Sequence, residues 1–169
     1  MALREIITLP NPILRRKAHK VTRFDSDLQL LINDMIETMR AAPGVGLAAT
    51  QIAESVRLIV VEYGEDDEEE SPKKLYVIAN PEIIQFSTDK EMGVEACLSV
   101  PGLVGEVERA TQIVVKGLNR LGKPTRIKAK AWKARIFQHE VDHLDGILYP
   151  NRATRVWQPK EGDGPVAAD

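Results

Sequence analysis

The segment HEVDH, residues 139–143, constrains this chain more than any other feature of its sequence. Residues four apart lie on one face of an α-helix, so His139 and His143 can present two imidazoles to one metal ion, with Glu140 beside them. The alternative is an ordinary amphipathic helix with hydrogen-bonded histidines. The chain has only three histidines, and two of them at this spacing favour the metal site. The third, His19, is predicted to be a surface residue.

Two imidazoles do not complete a catalytic metal site, which normally has three protein ligands and an open position. The chain follows the metzincin pattern HExxHxxGxxH as far as Gly146 but has Tyr149 in place of the last histidine, which excludes that family. Asp145 is too close in sequence to serve, so the third ligand is expected upstream. Cys97, the only cysteine, is a candidate because thiolate binds zinc and ferrous iron strongly. The alternative is a small buried hydrophobic residue in a strand.

A glycine-containing segment, GVGLAATQ, spans residues 44–51. Its spacing satisfies a permissive dinucleotide-binding fingerprint, but it follows a predicted helix where that fingerprint requires a strand. We interpret the glycines as allowing the backbone to approach a ligand closely, with Gln51 supplying a side-chain amide donor. A purely structural glycine turn is the alternative.

Apolar residues at helical spacing predict a helix over residues 28–39, which one of residues 25–27 caps and Pro43 ends. A second helix is predicted over 132–144, with Gly146 ending it in a left-handed conformation. A turn is predicted at 119–124. Short strands, expected to pair antiparallel, are predicted at 58–63, 75–80, 83–86, 112–118 and 125–131.

Length and composition predict one domain over residues 1–157, followed by a disordered tail over 158–169. The acidic run at 65–70 is expected to be a solvated loop and not a cation site. Lys and Arg number 23 against 25 Asp and Glu, which suggests neither a nucleic-acid-binding nor a membrane-surface protein. The chain shows no membrane-spanning run and no signal-peptide pattern, and a single cysteine fits a reducing compartment, so we expect a cytoplasmic protein.

Three segments, GVGLAATQ, EACLS and QHEVDHLDG, occur in this order, about 50 and about 40 residues apart. They closely resemble the three signature segments of the peptide deformylases, and LPNPILRRKAHKV resembles the N-terminal stretch of that family. The resemblance runs to about Tyr149. It implies an α+β fold in which mainly antiparallel sheets pack around a central metal-binding helix.

The resemblance also implies a ligand set and a cofactor. Cys97, His139 and His143 would hold one divalent ion, usually Fe²⁺, with Zn²⁺, Ni²⁺ or Co²⁺ also able to occupy the site. Glu140 would be the general base and acid of the reaction.

The implied reaction is hydrolysis of the N-formyl group on the formyl-methionine of newly made polypeptides, with release of formate. Metal-bound hydroxide would attack the formyl carbon, and Gln51 with the backbone N–H of Leu98 would form the oxyanion hole. The predicted substrate-binding residues are Gly44, Val45, Gly46, Ala96, Trp132 and Ile136.

Two departures from the family pattern bear on this expectation. Ala96 stands where the family usually has glycine, and its methyl group is expected to crowd a substrate backbone along the strand. Pro159 and three nearby glycines and prolines forbid the long basic C-terminal helix with which some bacterial members dock on the ribosome, so a transient ribosome contact would be made differently. Arg109 is interpreted as support for its strand, with a solvated surface arginine as the alternative.

Two other functions remain open from the sequence. A metallopeptidase of another specificity would share the metal helix without needing Gln51 or a thiolate ligand. A catalytically weak or silent relative would keep the metal for stability.

Overall fold

A computed structural model describes residues 2–64 and 72–160. It contains two longer helices, α1 (Ser26–Ala41) and α2 (Ala131–Leu144), and short 3-10 helices at Pro12–Arg15, Ala49–Ile52 and Tyr149–Asn151. The strands, numbered along the chain, are β1 (Gly46–Ala48), β2 (Leu58–Gly64), β3 (Lys73–Phe86), β4 (Lys90–Cys97), β5 (Val100–Ala110), β6 (Gln112–Leu118), β7 (Pro124–Lys130) and β8 (Arg155–Trp157).

These strands form two sheets in which every pairing is antiparallel. One sheet has five strands in the order β1-β2-β3-β6-β7, and the other has three in the order β4-β5-β8. The antiparallel sheets and the two helices confirm the predicted α+β class.

Helix α2 is the central element of the fold. It contacts five strands of the larger sheet and β5 of the smaller one, and every residue from 133 to 144 is buried. Its apolar residues, among them Ala134, Phe137 and Val141, join a core cluster with residues of β2, β3 and β6. Burying a polar group without a hydrogen-bond partner is costly, so each polar side chain on this buried helix needs a partner inside the fold.

Helix α1 closes the other side of the larger sheet. The Asp25 carboxylate caps it by accepting a hydrogen bond from Leu28 N at 3.0 Å, which satisfies one of the donors that a helix start leaves open. Its apolar face, including Ile32, Met35 and Met39, packs in a second core cluster with residues of β1 and β2. The predicted helix is therefore confirmed, with the cap at the first of the three candidate positions.

The two strands predicted at 75–80 and 83–86 are one strand, β3, so their separation was wrong. Asn80 has a positive φ of 52°, and the pairing with β6 shifts register between Ala79 and Glu82. Pro81 lacks the N–H needed for regular ladder pairing, and Asn is among the residues that tolerate a positive φ. The Asn80 side chain exchanges two hydrogen bonds with the backbone of Val21, which holds the irregularity in place.

The smaller sheet was not predicted. The strands predicted at 58–63, 112–118 and 125–131 correspond to β2, β6 and β7 within one residue, and Gly146 has the predicted left-handed conformation with φ 75°. His19 is exposed, as predicted.

Several expectations fall on other parts of the chain. The acidic run 65–70 and the tail from residue 161 lie outside the described residues. No helix within residues 2–64 and 72–160 is long and apolar enough to cross a membrane.

Candidate active site

Cys97 and the two histidines of α2 meet in the interior, where β4 ends against the helix. Their candidate ligand atoms all lie within 4.8 Å of one another, and all three residues are buried. The Cys97 Sγ atom is 3.4 Å from His143 Nε2, and the two imidazole centroids are 5.0 Å apart. The fold therefore brings the lone cysteine to the helix face that carries both histidines.

This donor set fits a catalytic divalent metal ion. Tetrahedral ligands at about 2.3 Å for sulfur and about 2.0 Å for nitrogen lie roughly 3.5 Å apart, close to the observed separation of Cys97 Sγ from His143 Nε2. One thiolate and two imidazoles suit zinc or ferrous iron, and three protein ligands leave a fourth position for water or substrate.

Glu95 fixes the orientation of His139. One carboxylate oxygen, Oε1, lies 2.9 Å from His139 Nδ1, so the proton on this ring resides on Nδ1 and Nε2 is left to bind a metal. The ring of Tyr149 stacks on the same imidazole, with centroids 6.2 Å apart and planes at 25°. The residue that excludes the metzincin pattern thus packs against His139, a candidate ligand.

Two arginines neutralise the buried Glu95 carboxylate. Arg109 donates to it through Nε and Nη2 at 2.9 and 2.8 Å, and Arg135 donates through Nη1 at 2.7 Å. Burial raises the pKa of Glu95, but the hydrogen bonds from Arg109 and His139 outweigh it and hold the pKa well below its ordinary range. Glu95 is therefore a carboxylate at neutral pH.

The network extends from Glu95 to the other end of α2. Arg109 Nη1 donates to the Asp142 carboxylate at 2.6 Å, and Arg152 also donates to Asp142. The interactions with Glu95 and Asp142 outweigh burial and raise the pKa of Arg109 above its ordinary value. Arg109 is buried and joins β5 to β4 and α2, so the interpretation as strand support is correct and the solvated alternative is wrong.

Glu140 is wholly buried beside the histidines and lies against β1. A Cβ atom added to Gly46 would come within 2.5 Å of Glu140 Oε2. Glycine is needed at this position because any side chain would displace the carboxylate. At Gly46 the close approach is to a side chain of the protein itself, whereas the predicted approach was to a ligand.

Gln51 lies in the 3-10 helix after β1 and is also wholly buried. Its Oε1 accepts a hydrogen bond from Ala48 N at 3.0 Å, and its Nε2 donates to Ser99 Oγ at 3.2 Å and lies 3.8 Å from Cys97 Sγ. Cys97 at the end of β4 pairs with Val100 at the start of β5, and Leu98 and Ser99 form the tight turn between them. Gln51 and Leu98 are thus both next to Cys97, from different elements.

The predicted substrate-binding residues lie at different depths. Gly46 and Ile136 are buried, whereas Gly44, Val45, Ala96 and Trp132 are half-buried. Ala96 lies where the pairing of β4 with β5 is irregular, between Glu95 and Cys97. Ile136 belongs to the first core cluster, and Val45 and Trp132 pack against that cluster.

Sequence reasoning missed Glu95, Ser99 and Arg135. A signal for Glu95 was present, because residues two apart on a strand point to one face and Glu95 precedes Cys97 by two. Arg135 precedes His139 by four on α2, the spacing of one helix face.

Comparison with known proteins shows the family of this chain. Residues 3–158 match the family model described as polypeptide deformylase. The chain is 47% identical over 164 residues to a peptide deformylase of Symbiobacterium thermophilum, covering 97% of this chain and 72% of that protein.

Solved structures agree as well. The crystal structure of a peptide deformylase from Legionella pneumophila has a TM-score of 0.82 at 42% identity, covering 90% of this chain and 87% of that one. The Met-Ala-Ser-bound peptide deformylase from Acinetobacter baumannii has a TM-score of 0.82 at 37% identity, covering 89% and 98% respectively. The chain belongs to the polypeptide deformylase family.

Proposed function

We propose that this protein removes the N-formyl group from the N-terminal formyl-methionine of newly made polypeptides, and that Cys97, His139 and His143 hold the divalent metal ion the reaction needs. The observation that carries the proposal is the meeting of one thiol and two imidazoles beside a buried glutamate, in a chain of the deformylase family. A metallopeptidase of another specificity, or a weak or silent relative, is not favoured by this family membership.

A divalent ion at this site supplies Lewis acidity, because it lowers the pKa of a water molecule toward ~7 and polarises a carbonyl group. We propose Fe²⁺ as the native ion, with Zn²⁺, Ni²⁺ or Co²⁺ as substitutes. The mixed sulfur and nitrogen donor set supports this choice over Mg²⁺ or Ca²⁺, which prefer oxygen ligands.

Glu140 moves the proton in the proposed reaction. As a water oxygen bonds to the formyl carbon, the Glu140 carboxylate takes a proton from that water. The carbon–nitrogen bond then breaks, and Glu140 returns the proton to the methionine nitrogen. The products are formate and a polypeptide with an unblocked amino terminus. Gly46 supports this role by leaving the space that the Glu140 carboxylate occupies.

Gln51 and Leu98 stabilise the charge that develops on the formyl oxygen. The Gln51 side-chain amide and the Leu98 backbone N–H are proposed to donate hydrogen bonds to that oxygen, and losing one such donor typically costs about 10²–10³ in kcat. The support for this role is that both residues flank Cys97, and that Ala48 N fixes the Gln51 amide with its NH₂ group toward Cys97 and Ser99.

The methionine side chain requires an apolar pocket, for which we propose Val45, Trp132 and Ile136 as walls. Gly44, Gly46 and Ala96 would line the path of the substrate backbone. The Acinetobacter baumannii relative binds Met-Ala-Ser, the peptide left after deformylation of formyl-Met-Ala-Ser, which supports a peptide substrate of this kind.

We further propose that residues 1–157 form the catalytic domain and that the enzyme works in the bacterial cytoplasm, where formylated chains are made. Any contact with the ribosome would be transient.

The test is formate release from formyl-Met-Ala-Ser by the iron-loaded protein under anaerobic conditions, with acetyl-Met-Ala-Ser and unformylated Met-Ala-Ser as controls. Glu140→Gln should keep its metal but lose roughly 10²–10⁴ in kcat, the usual worth of a general base. Undiminished deformylation by a metal-loaded Glu140→Gln variant would contradict the proposed proton transfer, and absence of formate with the wild-type protein would contradict the function.

A further inference from the structure

Ser99 is a wholly buried polar residue in the turn that follows Cys97, and none of the roles above includes it. Its hydroxyl oxygen accepts a hydrogen bond from Gln51 Nε2 at 3.2 Å across a gap of 48 residues in sequence. A buried hydroxyl that contacts a side-chain amide in this way restricts the rotation of that amide.

The Gln51 amide has a defined set of hydrogen bonds. Its oxygen accepts from Ala48 N at 3.0 Å, so the NH₂ end points the other way. Nε2 lies 3.2 Å from Ser99 Oγ and 3.8 Å from Cys97 Sγ, and an NH₂ group has two N–H donors, so it can offer one to each partner. Sulfur is a weak acceptor, so the N–H offered to Cys97 is the one that can turn to a substrate oxygen at little cost.

One chain segment fixes the backbones of both residues. Ile7 N donates to the Gln51 carbonyl at 2.8 Å, and Leu9 N donates to the Ser99 carbonyl at 3.0 Å. The extended N-terminal segment 7–9 therefore ties the 3-10 helix after β1 to the β4–β5 turn. The distance between Gln51 and Ser99 is set by the backbone as well as by their own contact.

We propose that Ser99 is a positioning residue for deformylation, which holds one N–H of Gln51 so that the other points at the developing oxyanion. This inference rests on the proposed function. Without the Ser99 hydroxyl, the amide loses an acceptor worth one ordinary hydrogen bond, which predicts about a five- to tenfold fall in kcat for Ser99→Ala, with KM changed less than twofold. Uniform weakening of the site would raise KM instead.

The experiment is a double-mutant cycle with Ser99→Ala and Gln51→Ala, measured as kcat and KM for formyl-Met-Ala-Ser, with thermal unfolding and metal content of each variant. If Ser99 acts through Gln51, Ser99→Ala has no further effect on kcat in the Gln51→Ala background. Equal losses in both backgrounds would overturn the inference, as would full activity of Ser99→Ala.

Two further variants separate positioning from packing. Ser99→Thr keeps the hydroxyl but adds a methyl group in a buried site, so packing alone predicts that it is worse than Ser99→Ala, whereas positioning predicts that it retains more activity. Thr50→Val is the matched control, because Thr50 Oγ1 is equally buried and has no hydrogen-bond partner among the described residues. It should leave kcat unchanged. Absence of formate with the wild-type protein contradicts the proposed function, whereas an unaffected Ser99→Ala variant contradicts only this inference.

Discussion

Glu95 illustrates how much of this site depends on one residue that is neither a proposed metal ligand nor a proposed substrate-binding residue. Its two carboxylate oxygens accept from Arg109, Arg135 and His139 in a position with no solvent exposure. A buried carboxylate of this kind is stable because each lone pair is used and cationic partners offset its charge. Removing the Glu95 charge would therefore disturb all three of its partners.

Glu95→Gln is therefore expected to weaken metal binding. An amide can accept from only one of its two positions, so His139 Nδ1 or an arginine loses its partner and the imidazole is no longer held in one tautomer. Loss of such a partner typically costs 10- to 100-fold in metal affinity. Competition with a chelator measures the effect, and Glu91→Gln, an exposed glutamate on the same strand, is the control. Unchanged affinity in Glu95→Gln would contradict the orienting role.

The same variant has a pH signature in the free energy of unfolding. The pKa of Glu95 is lowered in the folded protein from its ordinary value of 4.5. The stabilisation is therefore fully present above that value and is lost as pH falls below it toward the folded-state pKa. Urea unfolding of wild type and Glu95→Gln should differ by a constant amount above about pH 5.5 and converge in more acidic solution. If the difference in unfolding free energy between the two proteins widened on acidification, the lowered pKa of Glu95 would be contradicted.

At the scale of elements, β1 contacts α2 at Gly46, so this residue affects both the packing of the two elements and the position of the Glu140 carboxylate. Gly46→Ala would force the Glu140 carboxylate aside, since the new Cβ lies 2.5 Å from Oε2. Gly117→Ala places a Cβ 2.5 Å from Ile78 Cγ2 and 2.8 Å from the Ala79 carbonyl oxygen, in the sheet. Gly46→Ala should lose about 1–3 kcal/mol of stability by overpacking and Gly117→Ala at least as much, but only Gly46→Ala should lose kcat. Equal kcat in the two folded variants would show that Glu140 tolerates displacement.

The elements that were predicted correctly are those whose sequence pattern is local. α1 carries a helical apolar stripe, and β2 and β6 are rich in β-branched residues. β4 and β5 lack such a pattern, because Gly93, Gly102 and Gly105 interrupt them and each buries one charged residue, Glu95 or Arg109. Gly93 leaves room for the Arg135 guanidinium, which a Cβ would approach within 2.6 Å. That fit between a strand and a helix 42 positions away in sequence has no local signal.

For the whole molecule, the same difference between local and long-range signals separates the two histidines from Cys97, the third candidate ligand. The HEVDH spacing alone predicts that His139 and His143 share a helix face, but nothing in the chain's periodicity places Cys97 next to them. That meeting depends on how the smaller sheet packs on α2. The chemistry of a lone thiolate made Cys97 a candidate, and the family resemblance implied that it joins the histidines. Glu95, the partner of His139, and Ser99, the partner of Gln51, both lie in the EACLS segment. Sequence spacing alone could not assign a role to either.

The distribution of the core predicts how the molecule responds to metal removal. Two apolar core clusters join α1, α2 and the larger sheet through side chains that are not proposed ligands, whereas Cys97 belongs to the smaller third cluster, with Leu14, Val100 and Leu148. A chelated protein should therefore lose activity but keep a cooperative unfolding transition.

The size of the shift in Tm follows from linkage. A metal present at 100 times its Kd adds about 2.7 kcal/mol of stability, and each kcal/mol is worth about 2–4 °C in a chain of this length, so removal should lower Tm by roughly 5–11 °C. Cys97→Ala, which removes the proposed thiolate ligand, should show a Tm that chelator does not change. Calorimetry with and without chelator makes both measurements. Loss of the transition on chelation would mean that the metal is required for folding, and a chelator-sensitive Tm in Cys97→Ala would remove Cys97 from the ligand set.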